Sequence, residues 1–417
     1  MPWQLRQRCT YGVGAALTWY GANGYGYTLQ KNGIGSNATN GNWYLRSQLT
    51  QEPVVPVPAT PVTPAPVTPD PGTPDPGAPP PDPVVAAAPS PPPIQPLYQP
   101  GVPVYENYPQ MLLRLGDLPT LRQRVGRRGS QAKADASWAG WSDDALWVRV
   151  EDAHSRFEPS NSPSSSKQDN NAWKAQAGLD KRLSTSESGT WVGGLTAQMG
   201  QIRADVESPH GDGKIETQGY GIGATLTWYG ANGNYLDAQG QMNWYDTDLQ
   251  SKLIGAPLAK GNDGTGYNVG VEVGRVIPLS AQWTLIPQAQ LTYGKASFDT
   301  FVDPFKAQVS LDKAKSLMGR LGVALDYQVS QDEFRQGKVY GIANIYNEFL
   351  NGTRVDVAGT DFTHTNDRLW GGVGMGGSYK WAKGKYMLYG ELLLKSSLEH
   401  FADSYTVSGT AGFRMGW

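Results

Sequence analysis

The sequence predicts an all-β protein whose main domain is a 12-stranded antiparallel transmembrane β-barrel. From about residue 145 to residue 417, segments of 13 to 19 residues alternate apolar and polar side chains. The composition combines 51 glycines, 14 tryptophans and 21 tyrosines with only 9 phenylalanines, which is unusual for a soluble enzyme. A membrane barrel fits both observations, because its strands are apolar only at every second position.

Twelve strand candidates are separated by turns rich in Gly, Asn, Asp, Ser or Pro. In the eighth candidate, Leu321, Val323 and Leu325 alternate with Arg320 and Asp326, which predicts a lipid-facing side and a lumen side. A soluble β-sandwich would also alternate, but its strands are usually only about 5 to 6 residues long. The candidates span residues 145–157, 173–185, 189–206, 214–231, 234–250, 265–279, 283–300, 315–330, 338–356, 366–382, 384–400 and 403–417.

Composition also excludes several classes of function. The net charge of −2 gives no reason to expect nucleic acid as a partner. The chain has no run of 18 apolar residues, so no transmembrane helix is predicted. Cys9 is the single cysteine, which excludes an internal disulfide and a multi-cysteine metal site. The first ten residues lack the apolar core of a secretory signal peptide, so, if the protein is exported, we expect this sequence to have lost its export signal or to be a fragment.

One 14-residue stretch occurs twice. YGVGAALTWYGANG at 11–24 matches YGIGATLTWYGANG at 220–233 in 12 of 14 positions. The second copy falls in the fourth strand candidate, where Tyr220, Ile222 and Leu226 would face lipid. The first copy has no barrel to join, and we interpret it as a recombination scar or a mis-set gene start. It would be either unstructured or a first rung on the segment that follows.

Residues 51–103 form a proline-rich segment. Of the 31 prolines in the chain, 21 lie between positions 53 and 103. Such a segment donates few backbone hydrogen bonds and buries little apolar surface, so we predict a disordered polyproline-II linker that acts as a spacer or stalk.

A short basic helix is predicted after the linker. Asp117 is suited to the N-cap and Pro119 to the first turn, while Leu118, Leu121 and Val125 would share one face. Four arginines lie on its other faces: Arg122, Arg124, Arg127 and Arg128.

The order NGNWYLRS, proline-rich stalk, LRQRVGRR, twelve amphipathic strands and terminal GFRMGW resembles the translocator end of a type V autotransporter of the pertactin/AIDA class. The resemblance implies a passenger β-helix remnant at 1–50, a linker and pore helix at 104–134, and a barrel at 135–417. It implies a location in the outer membrane of a Gram-negative bacterium, with the remnant and linker at the cell surface. The implied function is export and anchoring of an N-terminal, adhesin-like passenger.

The barrel would hold the helix through charge pairs. By the alternation rule, six carboxylates point into the lumen, where they would either bind the four arginines or only solvate a water-filled pore: Glu151, Asp180, Asp237, Glu272, Asp326 and Glu391.

The expected partners are outer-membrane lipid, the barrel assembly machinery and the chain's own passenger segment, with the protein a monomer. In outer-membrane proteins a terminal aromatic strand resembles the assembly signal, which predicts that role for Phe413, Met415 and Trp417. No nucleic acid, cofactor or metal is expected.

Two alternative functions are a porin-like channel and a barrel protease. A porin has no use for a basic helix behind a proline-rich stalk. The four histidines, His154, His210, His364 and His400, are scattered, so no catalytic site is expected. Some autotransporters cut themselves at an Asn-Asn junction in the linker helix, but here Asn170-Asn171 lies between strand candidates, so no self-cleavage is expected. The glycines of 372–377 are expected to allow close packing against the lumen helix.

Overall fold

The computed structural model describes residues 19–22, 24–33, 37–49, 95–126, 143–332 and 334–417. In chain order its elements are β1 (Trp19–Ala22), β2 (Tyr25–Lys31), β3 (Trp43–Arg46), α1 (Val102–Leu115), α2 (Leu121–Val125), β4 (Ala145–Phe157), β5 (Lys167–Ser186), β6 (Gly189–Glu207), β7 (Gly213–Gly230), β8 (Asn234–Ser251), β9 (Ala256–Arg275), β10 (Ile277–Pro278), β11 (Trp283–Phe298), β12 (Phe301–Val302), β13 (Gln308–Gln331), β14 (Gln336–Glu348), β15 (Thr353–Val357), β16 (Thr360–His364), β17 (Leu369–Trp381), β18 (Tyr386–Ser397) and β19 (Tyr405–Gly416).

The barrel consists of β4 to β9, β11, β13, β14 and β17 to β19. Each of these twelve strands pairs antiparallel with its neighbour along the chain, and β19 pairs with β4 to close the ring. Full closure leaves no edge strand with unpaired backbone groups, which a lipid environment requires. The predicted 12-stranded antiparallel barrel is confirmed.

Several strands are longer than predicted, and one candidate is split. β13 begins at Gln308 and extends beyond the barrel, where it pairs with β12 and with the β15–β16 hairpin. The strand candidate at 338–356 covers two strands, β14 and β15. They are separated by a turn in which Gly352 has a φ of 54°, a left-handed conformation that suits glycine. Asn170 and Asn171 lie inside β5, not between strands.

The inward and outward faces exchange character near one end of the barrel. On β8, Met242 and Trp244 face outward, but the next outward residue is Asp246. At the same level the buried side chains of Tyr245 and Leu249 enter the inward face, next to the buried Thr247. This end, which we call the collar, is apolar inside and polar outside, as in a water-soluble barrel.

The described N-terminal residues form a small sheet in which β1, β2 and β3 pair antiparallel. Successive rungs of a β-helix pair parallel, so these strands do not have the predicted rung geometry. The reversal follows from a two-residue connection between Ala22 and Tyr25, in which Gly24 has a φ of 76°. β1 belongs to the first copy of the repeated stretch, and residues 11–18 lie outside the described residues.

The proline-rich segment ends earlier than predicted. Residues 95–103 are described and packed, with Leu97 and Val102 buried, and α1 begins at Val102. Proline is tolerated in the first helical turn, where its missing N–H has no helical partner, so Pro103 is compatible with this start. Residues 50–94 lie outside the described residues.

Candidate functional site: the helix-filled lumen

The first helix, α1, fills the collar with apolar side chains. Tyr108 stacks on Phe298 with ring centroids 4.5 Å apart, and Tyr105 meets Phe301 edge-on at 5.6 Å. Helix and collar form one buried cluster. Its members on the barrel strands and on the β15–β16 hairpin include Ile202, Ile215, Tyr245, Leu249, Leu258, Val309, Val355 and Phe362. Twelve of the 14 residues of α1 are buried, so this helix has no solvent-facing side.

A buried carboxylate on α1 fastens the helix to the loops of the collar. Glu106 Oε1 accepts hydrogen bonds from the hydroxyls of Ser162, Ser164 and Ser166, and lies 4.0 Å from His364 Nδ1. Burial opposes ionisation of Glu106, but the interactions with His364 and the serines outweigh it and lower the pKa of this carboxyl below its usual range. Glu106 is therefore a charged anchor inside an apolar cluster.

The segment before α1 is held by two further polar contacts. Asp303 Oδ2 accepts from Gln99 Nε2 at 2.9 Å and from the Tyr105 hydroxyl at 3.0 Å. The Tyr98 N–H donates to His210 Nδ1 at 3.1 Å, so that nitrogen carries no proton. Burial lowers the pKa of His210 to about 4, which keeps the ring neutral and able to accept this bond.

The second helix, α2, is short and begins at a different cap from the predicted one. Thr120, not Asp117, is the N-cap: its hydroxyl accepts from the Gln123 N–H at 3.2 Å, and Gln123 Oε1 accepts from the Thr120 N–H at 3.1 Å. Asp117 lies too far before the first residue of α2 to cap it and follows the turn at the end of α1. This capping box satisfies two backbone donors and stabilises a helix of only five residues.

Both described arginines of α2 are buried in ion pairs with the barrel wall. Arg122 Nη1 lies 3.0 Å from Asp326 Oδ1 on β13, and its guanidinium stacks 4.1 Å over the ring of Tyr340. Arg124 Nη2 binds Asp237 Oδ1 on β8. The side chains of Arg124 and Asp237 are 1% and 0% exposed. Each pair joins the helix to a different strand.

Two more of the predicted carboxylates bind α2 without contacting an arginine of that helix. Glu272 Oε2 accepts from the Leu121 N–H at 3.1 Å and also pairs with Arg320 of β13 at 3.2 Å. Glu391 Oε1 accepts from Gln123 Nε2 at 2.8 Å. α2 is thus bound by β8, β9, β13 and β18, on several sides of the lumen.

The remaining predicted lumen carboxylates face inward but bind the barrel itself. Glu151 pairs with Arg149 at 2.9 Å and with Lys174 at 3.4 Å. Asp180 accepts from the indole N–H of Trp147 at 3.2 Å. The other two predicted partners on the helix side, Arg127 and Arg128, lie outside the described residues.

Glycines of the wall provide room for aromatic side chains. A Cβ at Gly376 would overlap the Tyr340 ring, and one at Gly412 would overlap Tyr389. Tyr340 donates to Glu391 at 2.8 Å, and the Tyr389 hydroxyl donates to the carbonyl of Arg124. In the 372–377 stretch the glycines lie against residues of neighbouring strands, among them Tyr340 at Gly376, and not against the helix that we predicted.

A cavity of about 300 Å³ lies beside the turn that joins the two helices. Its lining includes Arg114, Asp117, Glu151, Lys174 and Lys395, so it carries charges of both signs. It separates the apolar section around α1 from the ionic section around α2.

Neither described helix combines the length and apolar composition that a membrane crossing requires. Within the described ranges, no three His, Cys, Asp or Glu side chains are grouped so that they could hold a metal ion. His154 contacts Asn171, and His400 contacts Asp367, so these two histidines have different partners and do not share a site.

Comparison with known proteins identifies the family. The profile described as "Autotransporter beta-domain" matches residues 146–392. The adhesin BmaC autotransporter of Brucella suis is 40% identical over 407 residues, which is 95% of this chain and 11% of that protein. The chain belongs to the autotransporter family.

More distant relatives agree with this assignment. The pertactin autotransporter of Bordetella parapertussis is 27% identical over 176 residues, 42% of this autotransporter chain and 18% of its relative. The transport unit of AIDA-I from Escherichia coli has the same fold, with a TM-score of 0.63 at 15% identity over 77% of this chain and all of that one. The β domain of Bordetella BrkA gives 0.53 at 20% identity, covering 66% and 100%.

The chain spans about a tenth to a fifth of the length of the curated relatives it matches. What it shares with the solved structures is the translocator barrel. The chain is therefore an outer-membrane protein of this family, and its barrel is the autotransporter β-domain.

Proposed function

We propose that this chain exports an adhesin-like passenger attached at its N-terminus, anchors it in the outer membrane and then closes its own pore. The observation that carries the proposal is the pair of helices inside a closed barrel. In the chain, α1 and α2 connect the N-terminal sheet, at the collar end of the barrel, with β4, which begins at the opposite end. An adhesin is the passenger class favoured by the name of the 40% identical relative. This role is non-catalytic and needs no cofactor or metal.

Closure of the pore has two parts. The apolar cluster around α1 would exclude water from the collar, and the ion pairs of Arg122 and Arg124 would hold α2 across the membrane section. Two helices buried in the lumen would block an open porin. We therefore favour the translocator over the channel. The passenger remnant and the proline-rich linker would then lie at the cell surface.

Assembly would depend on the last strand. Phe413 and Met415 lie on the outward face of β19, the strand that closes the ring against β4, and Trp417 follows its last residue. We propose that the barrel assembly machinery binds this strand before closure, and that the finished barrel is a monomer surrounded by outer-membrane lipid.

The proposed function is tested by surface display. The full chain, produced with a secretory leader in a Gram-negative host and tagged before residue 50, should present its tag to an added protease on intact cells. A variant lacking residues 413–417 is the matched control and should fail to reach the membrane. A tag that is protected in intact cells, while the barrel is correctly inserted, would contradict export by this chain.

A further inference from the structure

The outward face of the barrel carries a pair of lysines where the apolar band ends. On β11 the outward residues up to Tyr293 are apolar or aromatic, and the next outward residue is Lys295. On β13 the same change occurs between Leu317 and Lys315. Lys295 and Lys315 are direct cross-strand partners, and both are exposed.

These lysines lie at the outer end of the barrel. At the opposite end the strands are joined by short turns, such as that between β5 and β6, whereas the lysine end carries the long connections and the β15–β16 hairpin. Outer-membrane barrels have short periplasmic turns and longer external loops. The pair is therefore level with the headgroups of the outer leaflet.

The two like charges have no compensating carboxylate among the described residues. Neither Lys295 nor Lys315 belongs to any ion pair or side-chain hydrogen bond found there. By contrast, Lys214 on β7 and Lys252 in the turn after β8 both reach Asp205. Directly opposed like charges destabilise a sheet, so this arrangement is unfavourable unless an anion lies between them.

The surroundings of the pair suit a lipid. Lys295 also lies opposite Tyr267, whose ring is 6.0 Å from that of Tyr293. Aromatic residues of this kind mark the membrane interface of such barrels. Below them, Leu291 and Leu321 are 49% and 66% exposed on the outward face, which offers a surface for acyl chains.

We propose that Lys295 and Lys315 together bind the phosphate of an anionic lipid headgroup in the outer leaflet, with the acyl chains lying along Leu291 and Leu321. The phosphate would relieve the repulsion between the two ammonium groups and gain hydrogen bonds to both. The site rests on the outer-membrane placement of the barrel but not on export, so a barrel that failed to display its passenger could still bind this lipid.

The test compares the melting midpoint of the full chain in nanodiscs of phosphatidylcholine alone and of phosphatidylcholine with a minor fraction of phosphatidic acid. Phosphatidic acid should raise the midpoint of the wild type. K295Q/K315Q should lose most of that increase, while remaining at least as stable as the wild type in phosphatidylcholine alone, since the repulsion is gone. The control K214Q/K252Q removes the same charge and should keep the increase.

Two outcomes would overturn the proposal. One is an equal increase in the wild type and in K295Q/K315Q, which would mean that the lipid acts elsewhere. The other is that inorganic phosphate, added to phosphatidylcholine discs, reproduces the whole increase, which would assign the pair to a free anion. Native mass spectrometry of the released protein gives a second readout: the wild type and K214Q/K252Q should retain bound phosphatidic acid, and K295Q/K315Q should not.

Discussion

The ion pair between Arg124 and Asp237 should be one of the strongest single attachments of α2. Both side chains are almost fully buried, and Asp237 also accepts hydrogen bonds from Thr227 at 2.6 Å and from Gln239 at 3.0 Å. Removing one partner of a buried pair leaves the other charge without compensation, at a cost of ~3–5 kcal/mol. R124M and D237N should each lose about this amount from the docking of α2.

The double variant R124M/D237N should be much less damaged than the sum of the two changes. It buries no unpaired charge, and the side-chain amide that D237N introduces would keep a hydrogen-bonding oxygen for Thr227 and Gln239. We expect a loss of ~1–2 kcal/mol, the scale of one or two neutral hydrogen bonds. The coupling energy in the double-mutant cycle should then be several kcal/mol, well above the roughly 0.5 kcal/mol found for independent sites.

The assay is urea unfolding in detergent micelles, combined with single-channel recording. Since ~1.4 kcal/mol is a tenfold change in an equilibrium, each single change should raise the open fraction of the pore by ~100-fold or more. The double variant should raise the open fraction by only ~5- to 30-fold, well below either single variant. Additive losses in the cycle, or single variants as closed as the wild type, would refute a buried, energetically coupled pair.

Three further predictions concern the two helices. R122E/R124E should raise conductance and lower the melting midpoint, since four like charges would then meet in the lumen, and R122Q/R124Q should do the same to a smaller extent; unchanged conductance in the glutamate variant would place α2 outside the pore. L112A should weaken the packing of α1 in the collar by ~2–5 kcal/mol, detected as faster amide hydrogen exchange in α1 with little change in the barrel strands. The pKa of His210 is about 4 when the Tyr98 segment is docked and about 6.5 when that segment is free. Docking should therefore weaken as the pH falls from about 6.5 to 4. H210Q should abolish this pH dependence, and an unchanged profile in that variant would contradict the role of His210.

The barrel was predictable from the sequence because period-two alternation is a local signal. Leu321 and Arg320 reveal their faces without knowledge of any other strand. Strand ends were less predictable, since the outward pattern on β8 changes from Trp244 to Asp246 while the strand continues. Alternation between an apolar and a polar face persists through the collar, but which face is apolar depends on whether the surroundings are lipid or water.

The site was predictable only in part. Inward-facing carboxylates follow from alternation, but their partners depend on where a helix lies in the lumen, which no local pattern records. Glu151 binds Arg149, two residues before it on β4, and Lys174 on the neighbouring strand β5, while Asp180 of β5 binds Trp147 of β4. The signal of the Thr120–Gln123 capping box was present in the sequence and was overlooked in favour of Asp117.

The first helix was missed because its prolines resemble those of the linker before it. Pro103 occupies the first turn and Pro109 lies inside the helix. An isolated helix would be weakened by Pro109. Here the collar compensates, since Tyr108, Met111 and Leu112 on both sides of it are fully buried.

The measurement that tests the account most directly is the single-channel conductance of the intact chain and of a chain that lacks residues 1–129. Both helices belong to the removed segment, and the barrel strands do not. The account predicts that the intact protein is closed for nearly all of the recording time and that the shortened barrel forms a stable open channel. Equal conductance of the two proteins would contradict the claim that α1 and α2 close the pore.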